Sequence, residues 1–358
     1  MKKLTFKYKR YLSRRSRREK GKTYRDRAFR KKRIGENTYL SNARYRLRNL
    51  KAAQKDPGST YVVLQPKNDF AIMSSVINVI DFVHKLKSYA KPIYSAYNIK
   101  IDLNNVSNID TGAICLLLSI VEELSFYKIR VEGTIPHDEN CKKIFLESGF
   151  LKHISSISGG KYITSEPKNL ILKRGRDRTK NQDVGETVKQ AIKDLTGKSE
   201  HYPPIFSLVQ EINGNSVEHA YDNKKEHWLF ASRFKEDEDK VIFIFTDNGF
   251  GILKTLRRKL SQRFFDELGL ATQADILEGA FTKKYSSRHA KQINRNKGLP
   301  LVRKIQLEGE VKNLMVITNG VFLYLDNYRK VKLNKSFSGT FYYWELDKSC
   351  LDRWKNKN

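Results

Sequence analysis

The chain has 358 residues, of which 39% are hydrophobic and 11% aromatic, so it holds enough apolar material for one or two packed cores. This composition excludes a wholly disordered protein. The 69 Lys and Arg residues exceed the 39 Asp and Glu residues by 30 charges, and the first 56 residues carry 22 basic side chains against 4 acidic ones. More than half of the excess charge therefore lies in the first sixth of the chain.

The sequence predicts neither a membrane segment nor a disulfide framework. Its longest apolar run, 113–121, ends at Glu122 and is much shorter than the roughly 18–20 residues that span a bilayer. The basic amino-terminal segment lacks the apolar stretch of a secretory signal, so we expect a cytoplasmic protein without membrane contact. Three cysteines have no spacing typical of zinc ligands or disulfides, and we expect bystander thiols at Cys115, Cys141 and Cys350.

Residues 1–58 form a basic arm in which aromatic residues are interleaved with Lys and Arg. Such a segment has too little apolar surface to form a core of its own. Its cations could neutralise phosphates, and its aromatic rings could stack on unpaired bases. The alternatives are a solubilising tail and a segment that docks on an acidic protein partner. The candidate contacts for DNA or RNA within 1–56 are Arg14, Arg15, Arg17, Arg18, Arg30, Lys31, Lys32 and Arg33.

Residues 59–158 alternate short strands with helices, which is typical of an α/β domain. Strands are predicted at 61–64, 99–103 and 129–131, and helices at 71–88, 112–124 and 140–148. The segment IDLNNVSNIDTGAICLLL at 101–118 resembles the central strand, loop and helix start of STAS domains, the fold of anti-sigma-factor antagonists. That resemblance makes Thr111, after Asp110, a candidate phosphoacceptor, although Ala113 replaces the usual glycine. The alternative is that Thr111 only caps the helix.

Residues 159–182 are predicted as a linker that contains an edge strand at 170–172. The region 183–350 is predicted as a second domain, with one layer of helices on a largely antiparallel sheet. Its helices are expected at 184–195, 203–221, 264–280 and 299–307, and its strands at 228–234, 241–246, 314–317, 320–325 and 339–346. The strands 228–234 and 241–246 are predicted to form an antiparallel hairpin through the acidic turn 236–239, and the second strand is apolar enough to be central. The fold class expected for the whole chain is α/β (α+β).

The helix that starts near Ile205 carries polar residues beside its apolar stripe. Glu211, Asn215 and His219 follow one another at four-residue spacing, so they share one face. An amide oxygen of Asn215 could ligate Mg²⁺, which takes few protein ligands and completes its octahedron with water and phosphate. Glu211, one turn earlier, could orient or deprotonate an attacking water or hydroxyl.

Two further elements carry chemistry. The turn Asp247-Asn248-Gly249-Phe250-Gly251 follows the apolar strand, where a carboxylate can accept an amine proton and glycines let the backbone approach a flat ring. Lys297-Gly298-Leu299 precedes a helix, whose free N–H groups can meet phosphates. Each element alone is also explained as a turn or a solvated face.

Together, EINGNSVEHA at 211–220, DNGFGI at 247–252, KGLPLV at 297–302 and SGTF at 338–341 resemble the GHKL superfamily of ATP-binding proteins, and most of all the anti-sigma-factor serine kinases. The resemblance implies a Bergerat α/β sandwich with ATP under a mobile lid. By position it makes Glu211 the catalytic acid or base, Asn215 the Mg²⁺ ligand and Asp247 the adenine-binding carboxylate. It also assigns Gly249 and Gly251 to the base, Lys297, Gly298 and Leu299 to the phosphates, and Thr340 to the adenine surroundings. Lys297 and Pro300 replace glycines common in the phosphate loop.

These features support several functional hypotheses. The first is a bacterial regulatory protein whose GHKL-type ATPase or serine/threonine kinase domain is fused to a STAS-like domain and whose nucleotide state controls a protein partner. The second is a nucleic-acid-associated ATP switch that uses the basic arm, with nucleotide-dependent closure or homodimerisation, in a stress or phage-defence complex. The third is a scaffold with a vestigial ATP site. No segment resembles the phosphoacceptor hairpin of a histidine kinase.

Overall fold

A computed structural model describes residues 61–91, 98–153, 170–175, 181–219, 227–259, 272–282 and 298–357. The basic arm, Lys297, most of the predicted linker and the first part of the predicted helix 264–280 lie outside the described residues. Residues Tyr61–Asn358 form one compact unit. None of the helices in the described ranges is long and apolar enough to cross a membrane.

The described residues form ten strands and nine α-helices. The strands are β1 (Tyr61–Leu64), β2 (Asp69–Phe70), β3 (Asn98–Ile101), β4 (Asn108–Ile109), β5 (Arg130–Gly133), β6 (Leu170–Gly175), β7 (Trp228–Lys235), β8 (Lys240–Asp247), β9 (Lys312–Tyr324) and β10 (Lys330–Asp347). The helices are α1 (Ile72–Lys87), α2 (Thr111–Phe126), α3 (Glu139–Glu147), α4 (Asn181–Thr196), α5 (Pro203–His219), α6 (Ile252–Lys259), α7 (Gln273–Phe281), α8 (Gly298–Leu307) and α9 (Lys348–Lys357).

A five-stranded antiparallel sheet in the order β6-β7-β8-β10-β9 is the centre of the fold. The predicted hairpin forms as β7 and β8, with the acidic turn Glu236–Glu238 between them. β8 lies third of five, so the prediction of a central strand is confirmed. β6, inside the predicted linker, pairs with β7 as an edge strand.

Both faces of this sheet are buried, because successive residues of β8 belong to different cores. Phe243 and Phe245 pack with the helices of the carboxyl-terminal half, whereas Ile242 and Ile244 pack with α1 and α2. A strand covered on both faces is expected to be continuously apolar, and β8 is so from Val241 to Phe245. Residues from the predicted domains 59–158 and 183–350 thus share the core on one face of the sheet, whereas residues from 184 onward form the core on the other face. The sheet is therefore the middle of three layers.

In the amino-terminal layer, α1 and α2 begin at one half-buried carboxylate. Asp110 precedes α2 and accepts the Ala113 N–H at 2.7 Å. Its second oxygen accepts the Met73 N–H of α1 at 3.0 Å, and α1 has no side-chain cap of its own. Burial raises the pKa of Asp110, against the effect of these hydrogen bonds. β1, β3 and β5 form a small parallel sheet beside the two helices.

The carboxyl-terminal strands differ from expectation. The predicted strands 314–317 and 320–325 are one strand, β9, because Asn319 adopts a φ of +51° inside the strand as an irregularity instead of starting a turn. The predicted strand 339–346 extends back to Lys330 as β10. The helices α6 and α9 were not predicted.

Replacing Asp110 tests the shared cap. We expect Asp110→Ala to lower the free energy of unfolding by about 2–4 kcal/mol, because it leaves N–H groups of two helices without their acceptor. Urea denaturation of the full chain measures the loss. Asp138→Ala, which removes the cap of α3 only, is the control, and an equal loss in both variants would contradict the shared-cap account.

Candidate functional site

The Asp247 carboxylate lies at the end of β8 and is only 2% exposed. Ser216 of α5 donates its hydroxyl to Oδ2 at 2.9 Å, and the Gly249 N–H donates to Oδ1 at 2.9 Å. Burial raises the pKa of Asp247, and the hydrogen bonds of Gly249, Ser216 and the Thr340 backbone oppose that shift. Thr340 is also the β10 partner of Asp247 in the strand register.

On the same helix α5, the predicted residues Glu211 and Asn215 lie close to the start of α8. A Cβ atom added to Gly298 would lie 2.9 Å from Asn215 Nδ2 and 3.1 Å from Glu211 Oε2. Only glycine therefore fits at this position without displacing those side chains. The Asn215 Nδ2 atom is buried and has no hydrogen-bond partner within the described structure. The Asn215 amide thus retains hydrogen-bonding capacity where the first turn of α8 begins.

The first turn of α8 offers fewer backbone donors than most helices. Its first residues are Gly298, Leu299 and Pro300. The N–H groups of the first two have no acceptor within the helix, whereas proline has no N–H to offer. Leu299 packs against the helix-side core. This helix end can receive an anion through two N–H groups and the positive end of its dipole.

Glycines allow close backbone approaches around Asp247. Gly251 has a φ of +80°, and a Cβ there would lie 2.7 Å from Thr318 Oγ1. Gly339, before Thr340, has a φ of +130°, and its added Cβ would lie 2.1 Å from the backbone oxygen of Asp247. Both conformations favour glycine, because a side chain at these φ values is strained. Gly249 contacts Asp247 through its N–H group, which donates to the carboxylate.

Sequence reasoning missed the side chains that hold the turn after Asp247. Thr318 accepts the Ile252 N–H at 2.9 Å. Asn319 accepts the Leu253 N–H at 3.0 Å and donates to the Phe250 carbonyl at 2.9 Å. The Asn-Gly pair at 319–320 was a signal for an unusual backbone, but the prediction left Asn319 between two separate strands. Ser216 lies in the predicted motif 211–220, but no role was predicted for it from the sequence.

Thr111 lies apart from these groups, on the other face of the sheet. It is 6% exposed, and its hydroxyl accepts a hydrogen bond from Arg233 of β7 at 2.9 Å. Arg233 also lies 3.7 Å from Glu147. The structure thus brings Glu211, Asn215 and Gly298 together, and joins Asp247, Gly249 and Thr340 to them through α5, but it places Thr111 elsewhere. Lys297, the side chain of His219 and the basic arm lie outside the described residues.

Mg²⁺ fits this arrangement only if a bound phosphate compound supplies part of its coordination shell. Within the described ranges, no three His, Cys, Asp or Glu side chains come together as metal ligands. Asn215 can supply one oxygen with its amide turned over, and Glu211 lies on the same helix face. A divalent ion with one or two protein ligands takes its remaining oxygens from water and phosphate.

Comparisons with protein-family models and with curated protein sequences find no match to this chain.

The close approach at Gly339 gives a test of this geometry. We expect Gly339→Ala to lower the free energy of unfolding by about 2–4 kcal/mol, because the new methyl group collides with the Asp247 carbonyl at a strained φ. Gly214→Ala on α5 is the matched control. Nothing lies within 4 Å of its added Cβ, so it should stabilise the helix by about 0.5–1 kcal/mol. Thermal and urea unfolding measure both, and equal effects would refute the assigned geometry.

Proposed function

We propose that residues 183–350 bind ATP with Mg²⁺ in the manner of GHKL proteins and that nucleotide state controls a protein partner. One observation carries this proposal. Glu211 and Asn215 meet Gly298, while Ser216 of the same helix holds Asp247, so motifs separated by many residues converge around α5. Convergence is what a single ligand with a base at one end and phosphates at the other requires.

At the base end, Asp247 acts as the acceptor for an exocyclic amine. Its three donors, Ser216, Gly249 and the Thr340 backbone, still leave acceptor capacity on the carboxylate, because an ionised carboxyl group has about four acceptor positions. Gly249 and Gly251 keep the adjoining backbone free of side chains, so a flat ring can approach it closely. Thr340 lies beside Asp247 on the neighbouring strand. These properties select adenine over a base that lacks the amine.

At the phosphate end, the chain supplies donors and one metal ligand. Gly298 and Leu299 offer N–H groups, and Lys297 precedes them in the sequence. Asn215 presents its amide to the metal or to a phosphate oxygen. Bound Mg²⁺ would stabilise negative charge on the phosphates. The Pro300 substitution removes one donor from this end, which is the observation that favours the alternative of a scaffold with a vestigial site.

Glu211 is the candidate general base. As water or a serine or threonine hydroxyl attacks the γ-phosphorus, Glu211 takes the proton of the attacking oxygen, the bond from phosphorus to the β–γ bridging oxygen breaks, and ADP leaves. Water as the nucleophile makes the protein an ATPase, and a protein hydroxyl makes it a kinase. Thr111 is buried against Arg233, so a partner's hydroxyl suits the kinase reaction better.

Two substitutions separate binding from turnover. We expect Asp247→Asn to weaken ATP binding about thirtyfold, because a hydrogen bond to a charged group contributes about 1.5–3 kcal/mol. We expect Glu211→Ala to bind ATP within about twofold of wild type and to lose about a hundredfold or more of its turnover. Calorimetry and phosphate release with Mg²⁺ measure these effects on the full chain.

The exposed residues Asp194 and Glu186 of α4 provide the matched controls, as Asp194→Asn and Glu186→Ala. Both should behave as wild type. Absence of ATP binding by the wild-type protein would refute the proposal. Binding without turnover would exclude the enzymatic reaction for the protein alone and retain the nucleotide switch.

We propose, as a second candidate function, that the basic arm binds DNA or RNA. The observation that favours it is the ratio of 22 basic to 4 acidic residues in the first 56, with aromatic residues between them. Each phosphate that a cation neutralises releases counterions, so such binding is steeply dependent on salt. An ATP switch attached to this arm could control when nucleic acid is held.

Charge removal tests the arm. We expect the full chain with the eight candidate residues Arg14, Arg15, Arg17, Arg18, Arg30, Lys31, Lys32 and Arg33 changed to Gln to lose most of its affinity for single-stranded DNA and RNA and to show a shallower salt dependence. The control changes the exposed Lys189, Lys193 and Lys198 to Gln. Fluorescence anisotropy over a salt series measures both, and equal slopes in wild type and arm variant would exclude the arm.

A further inference from the structure

Asn248, next to Asp247, is almost completely buried, and its side-chain and backbone polar groups all form hydrogen bonds. Its Oδ1 accepts the His227 N–H at 2.8 Å, and its own N–H donates to the His227 carbonyl at 3.3 Å. Its Nδ2 donates to Glu123 of α2 at 3.2 Å. The carbonyl of Asn248 accepts from Lys87 of α1 at 3.2 Å. The turn that carries Asp247 is therefore held by the amino-terminal layer.

Lys87 joins three parts of the protein at one ammonium group. Besides the Asn248 carbonyl, it donates to the Ser338 carbonyl at 3.0 Å and lies 3.1 Å from Glu123. Ser338 directly precedes Gly339, which packs against the Asp247 backbone. One cation of α1 thus bridges the turn after β8 and the segment of β10 that leads to Thr340.

A second interaction supports the same link. The positive charge of Lys87 lowers the pKa of Asp247 against the effect of burial. Lys87 therefore favours the ionised carboxylate, which is the form that accepts hydrogen bonds from an amine. His84, three residues earlier, lies with its Nδ1 3.1 Å from the Ser336 carbonyl, so the last turn of α1 follows this stretch of β10.

We propose that Lys87 and Glu123 are positioning residues for the adenine end of the nucleotide site, so that docking of α1 and α2 on the sheet and nucleotide binding are coupled. This inference rests on the proposed function and assigns regulation to the same site. Coupling is reciprocal. A partner that pulls α1 or α2 away from the sheet weakens nucleotide binding, and bound nucleotide holds these helices in place.

The experiment compares Lys87→Met, Lys87→Arg and Glu123→Gln in the full chain. Affinities for ATP and for inosine triphosphate, which lacks the exocyclic amine, are measured with Mg²⁺. Hydrogen exchange of amides 248–253 and 336–341 is measured without nucleotide. The matched control is Lys142→Met with Glu139→Gln, an exposed ion pair on α3 that contacts neither segment.

We expect Lys87→Met to bind ATP about tenfold more weakly while its affinity for inosine triphosphate changes less than about twofold, since the lost coupling acts through Asp247. Lys87→Arg, which keeps the charge, should restore most of the discrimination. Both amide segments should exchange faster in Lys87→Met and in Glu123→Gln than in wild type. The control pair should match wild type in every measurement.

The outcomes separate this inference from the proposed function. If wild type binds ATP and Lys87→Met has wild-type affinities and exchange, the inference is wrong and the function stands. An equal loss of affinity for both nucleotides would show a general structural effect and overturn the positioning role. If wild type binds no ATP, the proposed function fails, and the link to adenine fails with it. The exchange rates then still decide whether Lys87 holds the two segments.

Discussion

The buried carboxylate of Asp247 sets the constraint on which the rest of the carboxyl-terminal half depends. A carboxyl group with 2% exposure is stable only if hydrogen-bond partners replace the water that it loses. These hydrogen bonds come from Ser216 on α5 and from the backbones of Gly249 and Thr340. The position of α5 relative to the end of β8 is therefore fixed by polar contacts. The same helix carries Glu211 and Asn215, so the hydrogen bond between Ser216 and Asp247 also helps to place these two residues against Gly298.

The two-sided burial of the central sheet makes the amino-terminal layer part of the same folding unit. Without residues 61–153, apolar side chains such as Ile244, Ile317 and Phe341 would lose the core in which they are buried. Exposing a continuous apolar face of this kind favours aggregation. The partly buried polar contacts between Lys87, Glu123 and Asn248 belong to the same interface. Folding and site geometry are consequently properties of the whole unit from Tyr61 onward.

Periodicity in the sequence predicted the elements that bury a regular apolar pattern, including the β7–β8 hairpin and the helices that carry Glu211 and Gly298. It missed the first half of β10, where the residues from Lys330 to Ser338 are mostly polar and become a strand only through pairing with β9. The sequence predicted a break between strands at Asn319. The contacts that hold this residue inside β9 come from the distant turn at 250–253, which local sequence does not reveal. The motifs predicted residues that the fold brings together around α5. Lys87 gave no such signal, since a lysine in the last turn of a helix normally points to solvent.

The proposed ligand has two ends, and different parts of the chain control them. The phosphate end depends on the start of α8 and on Asn215, where Pro300 leaves few backbone donors. The adenine end depends on Asp247, which the amino-terminal layer holds through Asn248. In that layer, Asp110 caps two helices and Thr111 accepts a bond from Arg233, so the residues that resemble a phosphoacceptor motif serve in packing. Under the proposed function, a region that buries the Thr111 hydroxyl is better suited to controlling the affinity of the site than to accepting a phosphoryl group from it.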